Sequence, residues 1–273
     1  MKKGYIVLLV LALIAGSSLI YLRISNEIRF PGERVEVIYV NGILVTEDVP
    51  SGFGYASSES ICSRLRAADR DASVKAVVMR INSPGGTPAA AEEIVSEMKR
   101  VNKPIVVSMG DIAASGAYYI AAPADVIVAN PDTVTGGIGV IWVFENREEE
   151  YREAGINYTV VKSGEMKDMG APWRNLNEEE RAYANEVVME AFERFVKEVA
   201  SGRNMTVEAV RNLSDGRIYL GAKAKELGLV DELGNLYDAI RIAGKLGGIQ
   251  GEPEVEYTNR RDLFDLLIQE GGE

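Results

Sequence analysis

Residues 74–129 read VKAVVMRINSPGGTPAAAEEIVSEMKRVNKPIVVSMGDIAASGAYYIAAPADVIVA, and this stretch decides the fold. It contains two successive units, each with an apolar run of strand length, a loop of small residues and a helical segment. The first loop is PGG at 84–86, and the second surrounds Ser115. Crossover helices between strands imply parallel pairing, so the stretch predicts an α/β fold. Both loops then lie at the carboxyl ends of adjacent strands, where open α/β sheets bind ligands.

The rest of the chain continues this α/β pattern. Strands are predicted at 35–40, 43–45, 74–81, 104–109, 126–129 and 158–161, and helices at 57–68, 88–101, 115–122, 177–201, 221–227 and 236–246. Asn41-Gly42 predicts a two-residue hairpin turn between the first two strands. Asn177 and Glu180 predict a capping box at the start of the long helix. We interpret the apolar stripe of that helix, which includes Phe192 and Phe195, as core or subunit interface.

Composition excludes several classes of protein. The net charge is −11 and the pI is near 4.8, which argues against nucleic acid as a partner because phosphate binding needs a basic face. An apolar share of 47% is sufficient for a core. The single cysteine, Cys62, cannot form an intrachain disulfide and is interpreted as a buried apolar residue.

The N-terminus predicts a membrane anchor. Lys2 and Lys3 precede residues 4–22, an apolar run without charge that is close to the length needed to cross a bilayer. A cleaved signal peptide is the alternative, since small residues at 15–17 resemble a cleavage site. The apolar run continues beyond that site, which favours an uncleaved anchor, and the positive-inside rule places the N-terminus in the cytoplasm. The predicted segments are a cytoplasmic N-terminus (1–3), an anchor (4–22), a linker (23–33), the folded domain (34–246) and a tail (247–273) with a short amphipathic helix near 263–268.

Ser115 is a candidate nucleophile in an unusual setting. A serine that opens a helix is most often an N-cap, and a Pro-Gly-Gly turn is most often only a strand–helix connection. Together the two loops point to an oxyanion site, because the backbone N–H groups of Gly86 and Gly116 can face one anion. A nucleophilic serine needs a base, and this chain contains no histidine. A lysine is the best chemical candidate.

Several ordered motifs resemble one family of membrane-bound peptidases. INSPGG at 81–86 and SMGDIAASGAYYIA at 108–121 are followed by ANPDTVTGGIGV, VKSGEMKDMGAP, SGRNM, DGRIY and GAKAKELGLVDELG. This series is similar to the signal peptide peptidases of the SppA type, in the superfamily shared with ClpP and crotonases. The resemblance covers residues 35–246 and implies a fold of repeated ββα units, preceded here by one transmembrane helix.

The resemblance also implies a Ser–Lys dyad that needs no cofactor. Ser115 matches the family nucleophile and Lys167 the general base, with Lys162 as the nearest competitor. Gly86 and Gly116 match the donors of the oxyanion hole. A lysine base must be neutral at the working pH, which burial favours.

One position departs from the family pattern. A serine that orients the lysine is often present in the TGS segment, but Gly137 stands there in this chain. Thr135 or a water molecule are the substitutes we consider.

The family also implies an assembly and a function. Long members contain two tandem halves, whereas this chain resembles one. Short members form ring- or dome-like homo-oligomers in which Ser115 and Lys167 would come from neighbouring subunits. We expect a single-pass protein of the cell membrane, with its domain outside the cytoplasm, that cleaves hydrophobic peptides such as remnant signal peptides. The alternatives are a related Ser–Lys protease that clips a stomatin-like partner, and a non-enzymatic membrane scaffold or CoA-type binding module of the same fold.

Overall fold

The computed structural model describes residues 32–47 and 54–258. Its strands are β1 (Arg34–Asn41), β2 (Ile43–Val45), β3 (Tyr55–Ser57), β4 (Val74–Ser83), β5 (Ile105–Ala114), β6 (Val126–Ala129), β7 (Val134–Gly136), β8 (Ile218–Leu220), β9 (Glu232–Leu233) and β10 (Glu254–Thr258). Its helices are α1 (Ser58–Arg70), α2 (Pro88–Met98), α3 (Gly116–Ala121), α4 (Glu148–Glu153), α5 (Glu178–Gly202), α6 (Val207–Arg211), α7 (Gly221–Glu226) and α8 (Leu236–Leu246), with a 3₁₀ helix at Glu165–Asp168.

A central, mainly parallel sheet organises the domain. Its strands run in the order β10-β1-β4-β5-β6-β9, while β7 pairs with the end of β5 and β8 pairs antiparallel with β7. α2 and α3 follow β4 and β5, as crossover connections between parallel strands require. β4 is buried along most of its length because helices cover both faces of the sheet. The predicted α/β fold is confirmed, and it is consistent with the ClpP-like fold that the resemblance implies.

The side chains of the central strands alternate between two apolar layers. Val78 and Val106 pack on one face with Ala243 of α8. Met79 and Val107 point to the other face, where α1, α2, α3 and α5 form a thicker layer. This alternation is the two-residue period of a strand. The thicker layer supports the loops that follow β4 and β5.

The predicted hairpin at Asn41-Gly42 is wrong. β2 does not fold back on β1 but pairs in parallel with β3 in a separate two-stranded sheet. β1 already has β4 on one side and β10 on the other, so it offers no free edge to a hairpin partner. Gly42, at φ +91°, turns the chain towards Gly54, whose carbonyl oxygen would lie 2.2 Å from an added Cβ.

Residues 158–161 and the predicted tail also differ from the prediction. Residues 158–161 form no strand, and Val161 is 96% exposed, because no strand in the described part of the chain pairs with that segment. β10 lies within the predicted tail of 247–273 and extends the central sheet by pairing with β1. The predicted anchor at 4–22 and the short helix near 263–268 lie outside the described residues. Within the residues that are described, no helix has the length and apolar character to cross a membrane.

The long helix α5 begins as predicted. The Asn177 side chain accepts the backbone N–H of Glu180, and the Glu180 carboxylate accepts the backbone N–H of Asn177. This capping box places Glu180 in a buried position at the helix start.

Candidate active site

The two small-residue loops meet at the carboxyl ends of β4 and β5, two neighbouring strands of the central sheet. β4 ends at Ser83 and β5 ends at Ala114, and the two strands are parallel neighbours, with Ser83 opposite Ala113. The loops that follow them are therefore adjacent. An added Cβ on Gly85 would lie 2.7 Å from the Gly116 nitrogen and 2.9 Å from the Ser115 Cβ. Only a glycine at 85 allows this close approach.

Ser115 has a backbone conformation that side-chain-bearing residues rarely adopt. Its φ is +54° and its ψ is −128°. The conformation is held from both sides: the Ser115 N–H donates to the Gly136 carbonyl at 2.9 Å, and the Ser115 carbonyl accepts the Tyr119 N–H at 2.9 Å. The Ser115 hydroxyl makes no capping bond to α3 and has no hydrogen-bond partner among the described residues. Ser115 therefore occupies the N-cap position of α3, but its side chain does not cap the helix.

The strain at Ser115 predicts an effect on stability. A non-glycine residue in such a region costs about 1–3 kcal/mol, which exceeds the roughly 0.5–1 kcal/mol of extra chain entropy that glycine loses on folding. We expect Ser115→Gly to be about 1 kcal/mol more stable than Ser115→Ala, measured by thermal unfolding. Asn204→Gly is the control, because Asn204 at φ +50° is of a residue type that tolerates this region. Equal or lower stability of Ser115→Gly would contradict the strain argument.

Two backbone N–H groups beside Ser115 are free to bind an anion. The N–H groups of Gly86 and Gly116 have no acceptor among the described residues. They are close together, because an added Cβ on Gly116 would lie 3.2 Å from the Gly86 nitrogen. Gly116 also opens α3, where the helix dipole adds positive potential. The two groups can therefore stabilise negative charge that develops next to Ser115.

The small β2–β3 sheet holds Gly86 in place. The Leu44 N–H donates to the Gly85 carbonyl at 2.9 Å, and the Thr87 N–H donates to the Leu44 carbonyl at 2.9 Å. An added Cβ on Gly86 would lie 2.1 Å from the Leu44 oxygen, so a larger residue does not fit. The unexpected parallel pairing of β2 thus serves the site, because β2 fixes the peptide that carries one of the free N–H groups.

Ser115 opens on a large apolar cleft. The cleft has a volume of about 920 Å³. One wall is formed by the loops around Gly86 and Gly137, and the other by one side of α5. The side chains from α5 are Val188, Met189, Ala191, Phe192, Arg194 and Phe195. The apolar stripe of this helix was predicted as core or subunit interface. The structure divides it, because Val199 is buried in the core while Phe192 faces the cleft.

Gly137 and Thr135 occupy different surroundings. Gly137 lines the cleft at φ +60°, and an added Cβ there would lie 3.3 Å from the Ser115 nitrogen. Thr135 is buried and its hydroxyl donates to the Ala113 carbonyl at 2.7 Å. Thr135 does not line the cleft. No contact described here supports the suggestion that Thr135 orients the lysine, and that role stays a prediction.

Lys167 does not line the cleft on which Ser115 opens. It is exposed on the 3₁₀ helix Glu165–Asp168 and is not among the residues that line the cleft. Its ammonium group has no hydrogen bond or ion pair within the described part of the chain. Its competitor Lys162 is engaged, with Nζ 3.1 Å from an Asp168 oxygen and 3.0 Å from a Glu165 oxygen. Ser115, Gly86 and Gly116 are thus brought together, and Lys167 is not among the residues that line their cleft.

The segment that carries Lys167 exposes apolar side chains. We call residues 141–176 the arm. Ile141 is 86% exposed and Val143 is 76% exposed. The arm packs mainly on itself, with the rings of Tyr158 and Trp173 stacked at 4.7 Å. Exposed apolar side chains on one segment make the arm a candidate for a protein interaction site.

Known families and proteins match this chain over most of its length. The model of Peptidase family S49 matches residues 97–250, and the model of Clp protease matches residues 42–130. A "Putative protease" of Methanocaldococcus jannaschii is 35% identical, over 99% of this chain and 92% of its own length. The "Putative signal peptide peptidase SppA" of Enterococcus faecium is 37% identical, over 83% of this chain and 67% of its own length. Protease 4 of Salmonella typhi is 35% identical over 87% of this chain, which spans 38% of that protein. The chain therefore belongs to peptidase family S49 and is a serine-type peptidase.

Proposed function

We propose that this chain is a membrane-anchored endopeptidase that hydrolyses apolar peptides with a Ser–Lys dyad formed by Ser115 and Lys167. The observation that carries the proposal is the setting of Ser115. Within the described residues, a strained serine whose hydroxyl has no partner opens on an apolar cleft, next to two backbone N–H groups that have no acceptor. These are the nucleophile and the oxyanion donors of an acyl-transfer site.

The reaction follows from these groups. The Ser115 Oγ attacks the peptide carbonyl carbon while the neutral amine of Lys167 takes the hydroxyl proton. The carbonyl oxygen becomes an oxyanion and accepts hydrogen bonds from the N–H groups of Gly86 and Gly116. Lys167 then gives the proton to the leaving amine as the C–N bond breaks, which leaves an acyl ester on Ser115. Water hydrolyses the ester, with Lys167 again acting first as base and then as acid.

We propose that Lys167 comes from a neighbouring subunit. In a single chain Lys167 is exposed and does not line the cleft, which supports a second copy as the source of the serine that it serves. The exposed apolar side chains of the arm, such as Ile141 and Val161, provide a surface for such a contact. Ile141 also lines the cleft on which Ser115 opens, so an interface formed by the arm would lie beside that cleft.

The cleft favours extended apolar peptides. Residues 139–141 run along its rim without backbone hydrogen bonds to the rest of the described chain, so a substrate strand can pair with them. The α5 side chains Met189 and Phe192 then contact apolar substrate residues. Remnant signal peptides have this chemistry, and the name of the Enterococcus faecium relative supports them as the substrate class.

The membrane anchor is proposed from the sequence. Residues 4–22 are apolar and follow Lys2 and Lys3, which favours a cytoplasmic N-terminus and a catalytic domain on the opposite side of the membrane. An anchor of this kind would keep the cleft near peptides that remain in the bilayer.

A charge in the cleft is expected to weaken cleavage of apolar peptides. Met189 lines the cleft, and Met189→Glu would place a carboxylate against an apolar substrate, with a loss of about 1.5–2 kcal/mol, which is roughly 10- to 30-fold in kcat/KM. Met189→Leu should keep the activity. Val207→Glu is the matched control, because Val207 is equally exposed at 41% but lies outside the cleft. Unchanged kcat/KM for Met189→Glu with an apolar fluorogenic peptide would show that substrates bind elsewhere.

A further inference from the structure

Arg174 joins the segment of Lys167 to the start of the long helix. Its guanidinium group binds two carboxylates at once. Nη1 lies 2.7 Å from an oxygen of Glu180, and Nη2 lies 2.7 Å from an oxygen of Asp168. Each carboxylate also makes a second bond to the same arginine. Such bidentate pairs fix direction as well as distance.

At the Glu180 end, the contact of Arg174 is fixed by a buried carboxylate. The Glu180 side chain is fully buried, and its carboxylate also accepts the Asn177 N–H at 2.9 Å in the capping box of α5. Arg174, and next the Asn177 backbone, lower the pKa of Glu180 to about 2. Glu180 is therefore an anion at neutral pH, and Arg174 is its charge partner.

The other end of the bridge lies next to the proposed base. Asp168 follows Lys167 directly in the 3₁₀ helix, and its side chain is only 11% exposed. Arg174, with Lys162 as the second contact, holds the pKa of Asp168 well below its usual range. The Lys167 backbone makes one bond in this short helix, from its N–H to the Gly164 carbonyl at 3.1 Å. The Asp168 side chain, together with the contacts of Lys162 to Glu165, thus connects the 3₁₀ helix that carries Lys167 to the rest of the arm.

We propose that Asp168 and Arg174 are positioning residues that orient Lys167 towards the Ser115 of the neighbouring subunit. The inference rests on the proposed Ser–Lys dyad. An exposed ion pair in isolation would contribute little, but this network is anchored on a buried carboxylate and uses planar bidentate contacts. Displacement of a catalytic base by about 1 Å can slow the reaction up to roughly a hundredfold, so loss of the Asp168–Arg174 contact is expected to lower kcat.

The test variant is Asp168→Asn. It keeps the size of the side chain and leaves the Arg174–Glu180 pair intact, so the buried carboxylate keeps its partner. We expect kcat to fall about tenfold with KM nearly unchanged, because the apolar cleft that binds the peptide is not altered. Arg174→Gln should lose more, and Arg174→Lys should recover part of that loss. Arg211→Gln is the matched control, because Arg211 also binds a carboxylate, Glu193, with two nitrogens but lies outside the arm.

Mixed oligomers distinguish a positioning role from a general folding role. Asp168→Asn chains should be rescued by Ser115→Ala chains, which supply an intact Lys167 segment, and not by Lys167→Ala chains. Rescue of Asp168→Asn by Lys167→Ala chains would overturn the inference. So would the absence of rescue by either type of chain, provided that Ser115→Ala and Lys167→Ala chains rescue each other. If Ser115→Ala and Lys167→Ala chains do not rescue each other, the kinetics of Asp168→Asn alone test the positioning role: a fall in kcat at nearly unchanged KM supports it, and an unchanged kcat contradicts it.

Failure of the inference is separable from failure of the proposed function. Full activity of Asp168→Asn and Arg174→Gln beside an inactive Lys167→Ala overturns the positioning role and leaves the dyad in place. Full activity of Lys167→Ala overturns the dyad, and the inference with it.

Discussion

Ser115→Ala is expected to lose peptidase activity almost completely, by on the order of 10³-fold or more in kcat, while the domain stays folded. The hydroxyl that is removed has no hydrogen-bond partner among the described residues, so its loss leaves no buried group unsatisfied. The strained backbone at φ +54° is held by the Gly136 carbonyl and the Tyr119 N–H, which alanine does not disturb. The measurement is the initial rate of cleavage of an apolar fluorogenic peptide, with thermal unfolding recorded in parallel.

The control for this variant is Ser201→Ala. Ser201 is exposed in the last turn of α5, far along the helix from the cleft-lining residues. It should keep the wild-type rate. If Ser115→Ala also kept that rate in a folded protein, another residue would have to be the nucleophile.

Lys167→Ala is expected to have the second large effect, with a loss of about 10²–10⁴-fold in kcat, the range that general acid–base groups contribute. The change should cost little stability, because the side chain is exposed and its ammonium group has no partner within the described residues. Lys197→Ala, an exposed lysine on α5, is the control and should keep wild-type activity. The same peptide assay gives kcat and KM for both variants.

Lys162→Ala tests which of the two candidate lysines, Lys162 or Lys167, is the general base. Lys162 is bound to Asp168 and Glu165, so its removal should loosen the Lys167 turn and reduce kcat moderately. A larger loss for Lys162→Ala than for Lys167→Ala would reverse the assignment of the base.

Local pattern predicted the central elements well because their causes are local. The apolar runs of β4 and β5 and the capping box of Asn177 and Glu180 are present as expected. The hairpin at Asn41-Gly42 failed for a non-local reason, since β1 is flanked by β4 and β10, and β10 follows about 200 residues later. The position of β2 could be understood only once its contact with Gly86 was known.

The candidate site was predictable in part. Two glycine loops after adjacent parallel strands predicted that Gly86, Ser115 and Gly116 would meet, and they do. No physical pattern in the sequence selects Lys167 among the lysines, and only the family resemblance pointed to it. Its proposed contact with Ser115 depends on a second subunit, which no periodicity within one chain describes. Arg174 was missed because the sequence does not show that the Asp168 and Glu180 side chains are largely buried or that both of them bind the same arginine.

The central claim is that Ser115 of one subunit works with Lys167 of its neighbour, and mixed oligomers test it most directly. Ser115→Ala and Lys167→Ala chains, each inactive alone, are combined in equal amounts and their co-assembly is verified by two affinity tags. In a ring of head-to-tail contacts, one of the four possible ordered pairings joins an intact Ser115 to an intact Lys167, so activity should return to about one quarter of wild type. No recovery in oligomers shown to contain both chains would contradict the account and place the dyad within a single chain.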